Sequence, residues 1–481
     1  MSLTKKVFKN VSYLMVARVV FRFLTAAVMI YAARYLGVDR FGMFETALAW
    51  ANAFLALNDI GMSTLIVREA ARDEKKMAVY FGNTLVVEVL CSLVLYAAII
   101  GIGFGLHYDA TTITLMAVLG AAGLAFEFRK VARGIFRVFL QLKTVALLEI
   151  LNGVLYFLIT AWIIYAVADK DTGLLAIAHS RLWIDVFIVI ALLLYTFKFV
   201  RPAFSARQIW PMIKQSYVFT LYNMFFMLYF QIDQIILSIM RDKTEVGIYS
   251  ASAKLVSAFL FIPLMVFQVT MPIMYRYSRD NIEKYKRINR TIWRYLAAFG
   301  LPAGVGLWLL APEITGFVYG EEYLASVVVL QIMGWFMAIR FFGISQGNSM
   351  TTTDRQGLRA GIQIASVGVN IVLDIYLISK YGARGAAIAT LITECLIAGS
   401  YIYLSGRYLR ESLFASMRSF IPVFLATAGM LGLLALIKPY VHVIVLVIFG
   451  MAAYTGLLWL FRFFTPYDKN ILKEALSKKS S

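Results

Sequence analysis

Two arginines, Arg18 and Arg22, lie within the first long apolar run of the chain, residues 11–36. A helix rises about 1.5 Å per residue, so a helix that enters the bilayer at Val11 places Arg18 about 10 Å deep and Arg22 about 16 Å deep. A guanidinium near the midplane costs about 3 kcal/mol or more in lipid, which favours a watered cavity or a protein partner. The four-residue spacing puts both groups on one helix face. The pattern therefore predicts two fixed positive charges inside the membrane.

Two further bases and six acids also fall inside apolar runs. The bases are Lys254 and Arg340, and the acids are Glu45, Asp59, Glu88, Asp233, Asp374 and Glu394. Charged side chains in membrane helices either bind a substrate or ion, or they pair with one another. The acids could couple transport to protons or sodium, or serve as counter-ions for the bases, and the residue types alone do not decide between these roles.

Predicted depth and spacing single out three possible pairs. Arg18 and Asp59 have similar depths, although a long arginine side chain at that depth can also reach the headgroups. Asp233 and Lys254 each lie about seven residues from the outer end of their run, so they could form a structural pair, or Lys254 could face the cavity. Arg181 and Asp185 are four residues apart on one helix, which favours a structural pair.

The elements that carry these residues are predicted to be membrane helices. The 481 residues are 61% hydrophobic and 15% charged, which excludes an ordinary soluble protein. We predict an all-α integral membrane protein with about 14 transmembrane helices and no removable signal peptide. The predicted spans are 11–36, 42–66, 78–105, 112–139, 145–168, 175–199, 215–240, 247–275, 291–318, 324–348, 357–379, 383–406, 420–437 and 440–463.

The distribution of lysine and arginine predicts the orientation. With a cytoplasmic N-terminus, and with the bases near a span end counted with the adjoining break, 33 of the 46 lie at the termini or cytoplasmic breaks, 8 at the outer breaks and 5 deeper inside spans. This asymmetry predicts a multi-pass protein of the cell membrane with both termini in the cytoplasm. The net charge of +19 then suits anionic lipid headgroups and requires no nucleic acid. The longest cytoplasmic break, 276–294, is predicted to be a solvated basic linker.

An internal repeat divides the chain. Residues 41–55 align with residues 246–260 at an offset of 205, and Gly42 matches Gly247. Both segments are the second helix of a six-helix half, so we predict parallel repeats about an axis along the membrane normal. The predicted domains are an N-terminal lobe, 1–200, a C-terminal lobe, 201–406, and two extra helices with a cytoplasmic tail, 407–481.

Five short motifs, each in its place on the predicted helices, carry a family resemblance. They are ARYLGVDRFG at 33–42, DIGMSTLIVREAAR at 59–72, EVGIYSASAKL at 245–255 after the Asp233 segment, YGEEY at 319–323 and YGARGAAIA at 381–389. Over nearly its whole length the chain resembles the polysaccharide and oligosaccharide flippases, the Wzx-like branch of the multidrug/oligosaccharidyl-lipid/polysaccharide exporter superfamily.

The resemblance implies two six-helix lobes around a central cavity, alternating access, and export of a polyprenyl-linked oligosaccharide. In many members, bases on helices one and eight are thought to contact the anionic substrate, and Arg18, Arg22 and Lys254 occupy such positions here. Arg340 is a fourth candidate. Gln231 stands where many relatives have a base, so helix seven need not contribute a positive charge.

Function, partners and cofactors follow as expectations. We expect a non-enzymatic flippase that acts as a monomer on a lipid-linked oligosaccharide. Its other expected partners are membrane lipids and polysaccharide-assembly proteins. We expect no metal and no cofactor beyond a coupling proton or sodium ion. A drug antiporter of the same superfamily is the alternative, and would have an acid-lined cavity. A membrane polymerase or glycosyltransferase would need a large outer loop, whereas every outer break here has about ten residues or fewer.

Overall fold

The computed structural model of this chain describes residues 3–55, 57–58, 62–70, 76–139, 142–410 and 418–464. The side chains of Arg18 and of residues 217–227, among others, lie outside the description. Asp59 lies outside it altogether. The predicted Arg18–Asp59 pair therefore stays a prediction.

The described chain is built from helices. The first nine are α1 (Leu3–Leu36), α2 (Val38–Leu55), α3 (Met62–Ala70), α4 (Met77–Gly105), α5 (Ala110–Val138), α6 (Leu142–Ala166), α7 (Lys170–Thr196), α8 (Ala206–Met240) and α9 (Lys243–Ser257). The others are α10 (Phe261–Asp280), α11 (Ile282–Leu309), α12 (Ala311–Val318), α13 (Val327–Thr352), α14 (Gln356–Leu409), α15 (Ile421–Ile437) and α16 (Val443–Leu460).

The predicted all-α membrane fold is confirmed. Eleven helices among the described residues are long and apolar enough to cross a membrane. One of them, α14, has 54 residues and would be about 80 Å long if straight, which is more than twice a bilayer core. Its backbone leaves the helical region at Gly382 (φ 55°), and Arg355 near its start stacks on Tyr408 near its end. Thus α14 folds back on itself and contains two predicted spans, while the full count of fourteen stays a prediction.

Several predicted boundaries differ from the structure, and two of these differences have a clear local cause. Helix α2 begins at Val38, four residues before the predicted span, because Gly37 takes a positive φ of 79° and lets the chain turn directly from α1 into α2. The predicted solvated linker 276–294 is helical except at its break, because α10 continues to Asp280 and α11 starts at Ile282, while many of its residues are exposed as predicted. Asn281 makes this sharp break by accepting a hydrogen bond from the Lys284 backbone N–H as an N-cap.

By compactness, the chain separates into two units. The first comprises Met1–Lys254 with Ile371–Ala386, and the second comprises Leu255–Asn370 with Ala387–Ser481. The first unit has an apolar core shared by α1, α2, α4, α5, α6 and α7. In the second unit, α15 and α16 pack on α11, and the Tyr454 hydroxyl donates a 2.7 Å hydrogen bond to the carbonyl oxygen of Ala298. The predicted division at 200 and 406 concerns functional lobes and stays a prediction.

Candidate functional site

The two predicted repeat segments, α2 and α9, touch each other in the first unit. A methyl group on Gly42 would collide with the carbonyl oxygen of Lys243, and one on Gly247 would collide with the carbonyl oxygen of Val38. Val38 and Lys243 are themselves 205 residues apart, as are the two glycines. The contact is therefore the same on both sides, and only glycine permits so close an approach of two helix backbones.

Polar groups fix the start of each of these helices. The Thr244 hydroxyl donates a 2.7 Å hydrogen bond to Asp39 across the contact. Arg40 binds both oxygens of Asp171 at the start of α7, and this hydrogen bonding raises the pKa of Arg40. The Glu245 carboxylate, at the repeat position of Arg40, accepts a 2.6 Å hydrogen bond from the Ala383 backbone N–H. Thus α2 is anchored to the start of α7, and α9 is anchored to α14 at Ala383. These two positions are the starts of the sixth helix in each predicted half.

Lys254 forms its ion pair with Glu45. Its Nζ lies 2.9 Å from Oε2 of Glu45, whose side chain is 1% exposed, while the lysine side chain is 29% exposed. The partner differs from Asp233, which predicted depth had indicated. Helices α2 and α9 approach closely at Gly42 and Gly247, and this brings the long lysine side chain within reach of Glu45.

Asp233 and Asp374 form a buried pair of carboxyl groups. Asp233 on α8 accepts a short hydrogen bond from the Tyr249 hydroxyl, and Asp374 on α14 lies within hydrogen-bonding reach of Asp233. Their residues are 4% and 0% exposed. Among the described residues, neither carboxylate oxygen of Asp374 has a hydrogen-bond donor. Two buried carboxyl groups that interact directly are stable when they share a proton or a bound cation.

Arg22 is exposed at the middle of α1. Nine residues separate it from Tyr31, so the two side chains point in opposite directions from the helix axis. Tyr31 is 59% exposed, whereas Met29 and Ala33, on the Arg22 side and further along the helix, are 4% and 0% exposed. Arg22 thus extends from a face that is packed against protein about two to three turns later, as expected for a cavity-facing base.

The remaining predicted site residues are separate from these groups. In the second unit, Arg340 on α13 pairs with Glu394 on α14, with Nη1 2.6 Å from Oε2, and its guanidinium lies 5.8 Å from the ring centroid of Phe336. Glu88 is buried on α4, at 2% exposure. Lys254 and Arg340 are therefore both charge-compensated in this state, and would have to exchange partners to bind an anion.

The sequence missed a buried charged network in the first unit. Asp185 on α7 pairs with Arg129 on α5, with Nη2 2.9 Å from Oδ1, and both side chains are 6% exposed. Asn152 on α6 donates a 2.9 Å hydrogen bond to the same carboxylate oxygen of Asp185. The predicted partner Arg181 lies 4.0 Å away and is 28% exposed. Arg129 lies in the later half of α5, and the amphipathic pattern of this helix is the sequence signal that could have identified it.

Taken together, the geometry suits electrostatic binding and movement. A close glycine contact joins the two repeat helices, the Glu45–Lys254 ion pair lies further along them, and the Asp233–Asp374 pair touches α9 through Tyr249. The exposed arginine on α1 can meet a negatively charged group. Ionisable side chains among membrane helices commonly mark ion or substrate paths.

Comparison with known proteins agrees with this description. The profile of the family described as "Polysaccharide biosynthesis protein" matches residues 7–278. The probable flippase AglR of Haloferax volcanii is 26% identical over 395 residues, covering 79% of both chains. The probable low-salt glycan biosynthesis flippase Agl15 of the same organism is 26% identical over 40% of this chain and 41% of its own.

Solved structures show the same fold. The lipid II flippase MurJ in an inward closed conformation superposes with a TM-score of 0.75 at 15% identity, over 93% of this chain and 97% of its own. A multidrug resistance MATE family transporter in an inward-facing conformation superposes with a TM-score of 0.67 at 16% identity, over 82% of this chain and 94% of its own. At such identities the likeness concerns the fold.

Proposed function

Because this chain belongs to the polysaccharide biosynthesis protein family, we propose that it is a flippase that moves a lipid-linked oligosaccharide from the inner to the outer leaflet of the cell membrane. The names of its relatives AglR and Agl15 support a flippase of glycan assembly, and a transporter rather than an enzyme. The substrate would carry a phosphate or pyrophosphate between its polyprenyl chain and its sugars.

The observation that carries the proposal is the exposure of Arg22 on α1, at a position that the sequence predicts to lie near mid-membrane depth. A fixed cation there stabilises a negatively charged linkage, and its planar fork can donate two parallel hydrogen bonds to phosphate oxygens. Arg18, one turn away, and the paired bases Lys254 and Arg340 are further contacts in this proposal. The sugars would cross in water and the lipid tail would stay in the bilayer.

Alternating access accounts for the ion pair of Lys254. In the present state Glu45 neutralises the lysine. As the substrate phosphate approaches, it would compete with Glu45 for the ammonium group, and the α2–α9 contact below which this pair lies would loosen. Binding of the anion and opening of the outer side would then occur together, because both require Lys254 to leave Glu45.

The coupling ion is proposed to bind at Asp233 and Asp374. One cation, a proton or sodium, would be held by the two buried carboxyl groups, and its release would leave two like charges in contact. That repulsion favours a change in the packing of α8 against α14. Asp374→Asn removes one charge while keeping the side-chain volume, so it should abolish ion-driven accumulation and leave passive exchange of substrate intact.

The test is an orientation assay with defined substrates. Purified protein is reconstituted into vesicles that hold a fluorescent polyprenyl-pyrophosphate oligosaccharide, and a membrane-impermeant quencher reports the leaflet. We expect protein-dependent exposure of the labelled lipid on the second leaflet, without help from other proteins if the monomer suffices. Vesicles in which the labelled lipid stays in one leaflet, although the protein is folded, would refute the proposal.

A drug antiporter remains the second candidate, because acids outnumber bases in the candidate set and the carboxyl pair is buried in the first unit. It predicts proton- or sodium-driven efflux of organic cations such as ethidium. Ethidium efflux that Asp374→Asn abolishes, with no movement of the lipid-linked oligosaccharide, would favour this function over the flippase.

A further inference from the structure

Two arginines lie one helical turn apart where α14 begins, in the second unit. Arg355 stacks its guanidinium on the Tyr408 ring, 4.0 Å from the centroid, and donates a 3.2 Å hydrogen bond to the carbonyl oxygen of Thr353. Arg359 donates hydrogen bonds to the Asn348 side-chain oxygen at 3.0 Å and to the Thr351 hydroxyl at 2.7 Å. Neutral groups thus hold both side chains in place.

Among the described residues, no acid neutralises these two arginines. The acid next to Arg355 in the sequence, Asp354, is paired with Arg279, at 3.2 Å from Nη2. The buried Tyr401 hydroxyl lies beside Arg359 and is uncharged. Within the described part of the chain, neither Arg355 nor Arg359 forms an ion pair. A guanidinium has five N–H donors, so each retains donors for an outside acceptor.

The helix itself adds to this positive field. Arg355 is the N-cap residue of α14, and no side chain caps the free backbone N–H groups of the first turn. Gln356, Gly357 and Leu358, which carry those groups, are all exposed. A helix start of this kind attracts anions, and two fixed arginines beside it make the attraction specific for oxyanions.

We propose that Arg355, Arg359 and the first turn of α14 form a binding site for the phosphate group of a membrane lipid. The Lys and Arg count assigns this end of α14 to the cytoplasmic surface, where the headgroups of both phospholipids and polyprenyl-linked precursors lie. This inference rests on the proposed function: the site would receive the phosphate-bearing head of the substrate before the substrate reaches the deeper bases. The ligand chemistry is the same if an ordinary anionic phospholipid occupies it.

Binding is tested on the purified full-length chain in a non-ionic detergent that contains no phosphate. Phosphatidylglycerol is titrated in one arm and polyprenyl phosphate in the other, and native mass spectrometry counts the lipid retained. The double variant Arg355→Gln/Arg359→Gln is compared with Lys198→Gln/Arg201→Gln, which removes two exposed positive charges elsewhere on the predicted cytoplasmic side. Thermal unfolding of each variant checks that it is folded.

The first double variant should bind at least one of the two lipids about tenfold more weakly than the wild type, as expected for the loss of a charge-assisted hydrogen bond, and the control should not. A loss confined to polyprenyl phosphate identifies the substrate as the ligand, a loss confined to phosphatidylglycerol identifies the phospholipid, and a loss of both identifies a general phosphate site. Unchanged binding of both lipids, or an equal loss in the control, overturns the proposal.

Lysine variants keep the test decisive if the glutamine pair is unstable. Arg355→Lys/Arg359→Lys retains the charge but not the planar fork, so it should fold and show intermediate affinity; wild-type affinity in it would contradict recognition by the guanidinium groups. The assay needs no transport. If the wild type binds phosphate lipids through these arginines but moves none, the site stands and the flippase function fails.

Discussion

Asp39 and Thr244 are 205 residues apart and are joined by a 2.7 Å hydrogen bond. The same offset aligns the two repeat segments in the sequence and separates Gly42 from Gly247, which approach each other's helices across the same contact. In an arrangement with twofold pseudosymmetry, equivalent residues meet only at the axis. The axis relating α2 and α9 therefore passes through this contact, as the predicted parallel repeats require.

A cross-link at this hydrogen bond should stop transport. In the variant Asp39→Cys/Thr244→Cys the two cysteines replace hydrogen-bonded side chains, so oxidation is expected to join them and hold the starts of α2 and α9 together. If these helix ends separate during the cycle, flipping in vesicles should fall to the background rate after oxidation and recover after reduction. Each single cysteine variant is the control. Full activity of the cross-linked protein would show that the contact stays closed throughout.

The contributions of the Glu45–Lys254 pair to stability and to transport should be measurable separately. Glu45→Gln or Lys254→Gln alone should lower the free energy of unfolding by about 1 to 3 kcal/mol, between the values for exposed and buried pairs. The exchange Glu45→Lys/Lys254→Glu should recover most of this stability, as measured by thermal unfolding. Transport should not recover, since the cation then lies on a different helix. Recovery of both would reduce the pair to a structural role.

The Arg129–Asp185 pair should matter more to stability than the Arg181–Asp185 pair. Removing one partner of a buried ion pair typically costs about 3 to 5 kcal/mol, so Arg129→Met should unfold at a markedly lower temperature. Arg181→Met is the matched control, and its cost should stay below about 1 kcal/mol because Arg181 is more distant and more exposed. Equal destabilisation by both substitutions would contradict the assignment.

These pairs show what the sequence could and could not predict. Apolar runs predicted the membrane helices, since burial in lipid requires long uninterrupted apolar segments, and the ordered motifs identified the family. The i,i+4 rule correctly placed Arg181 and Asp185 on one helix face, but it contains no information about neighbouring helices. Arg129 and Asn152 reach Asp185 only because α5, α6 and α7 pack together.

The partner of Lys254 could not be predicted for a similar reason. Glu45 and Lys254 are 209 residues apart and meet only because α2 and α9 pack against each other at Gly42 and Gly247. The carboxyl pair depends on helix packing in the same way. Asp233 and Asp374 are 141 residues apart, and no periodicity in the sequence connects α8 to the middle of α14. Both acids were nevertheless in the candidate set, because an ionisable residue inside an apolar run is itself a signal.

Arg22→Ala should reduce transport and leave stability nearly unchanged. Its side chain is exposed, so truncation creates no cavity in the core, whereas loss of a charge-assisted contact to phosphate should slow flipping about tenfold or more. Arg22→Lys retains the charge and should keep part of the activity. Phe23→Ala, at a neighbouring position that is 75% exposed, is the matched control and should flip at the wild-type rate. The measurement is the initial rate in the vesicle assay with thermal unfolding of each variant. Wild-type flipping in Arg22→Ala would show that the exposed arginine on α1 does not meet the substrate.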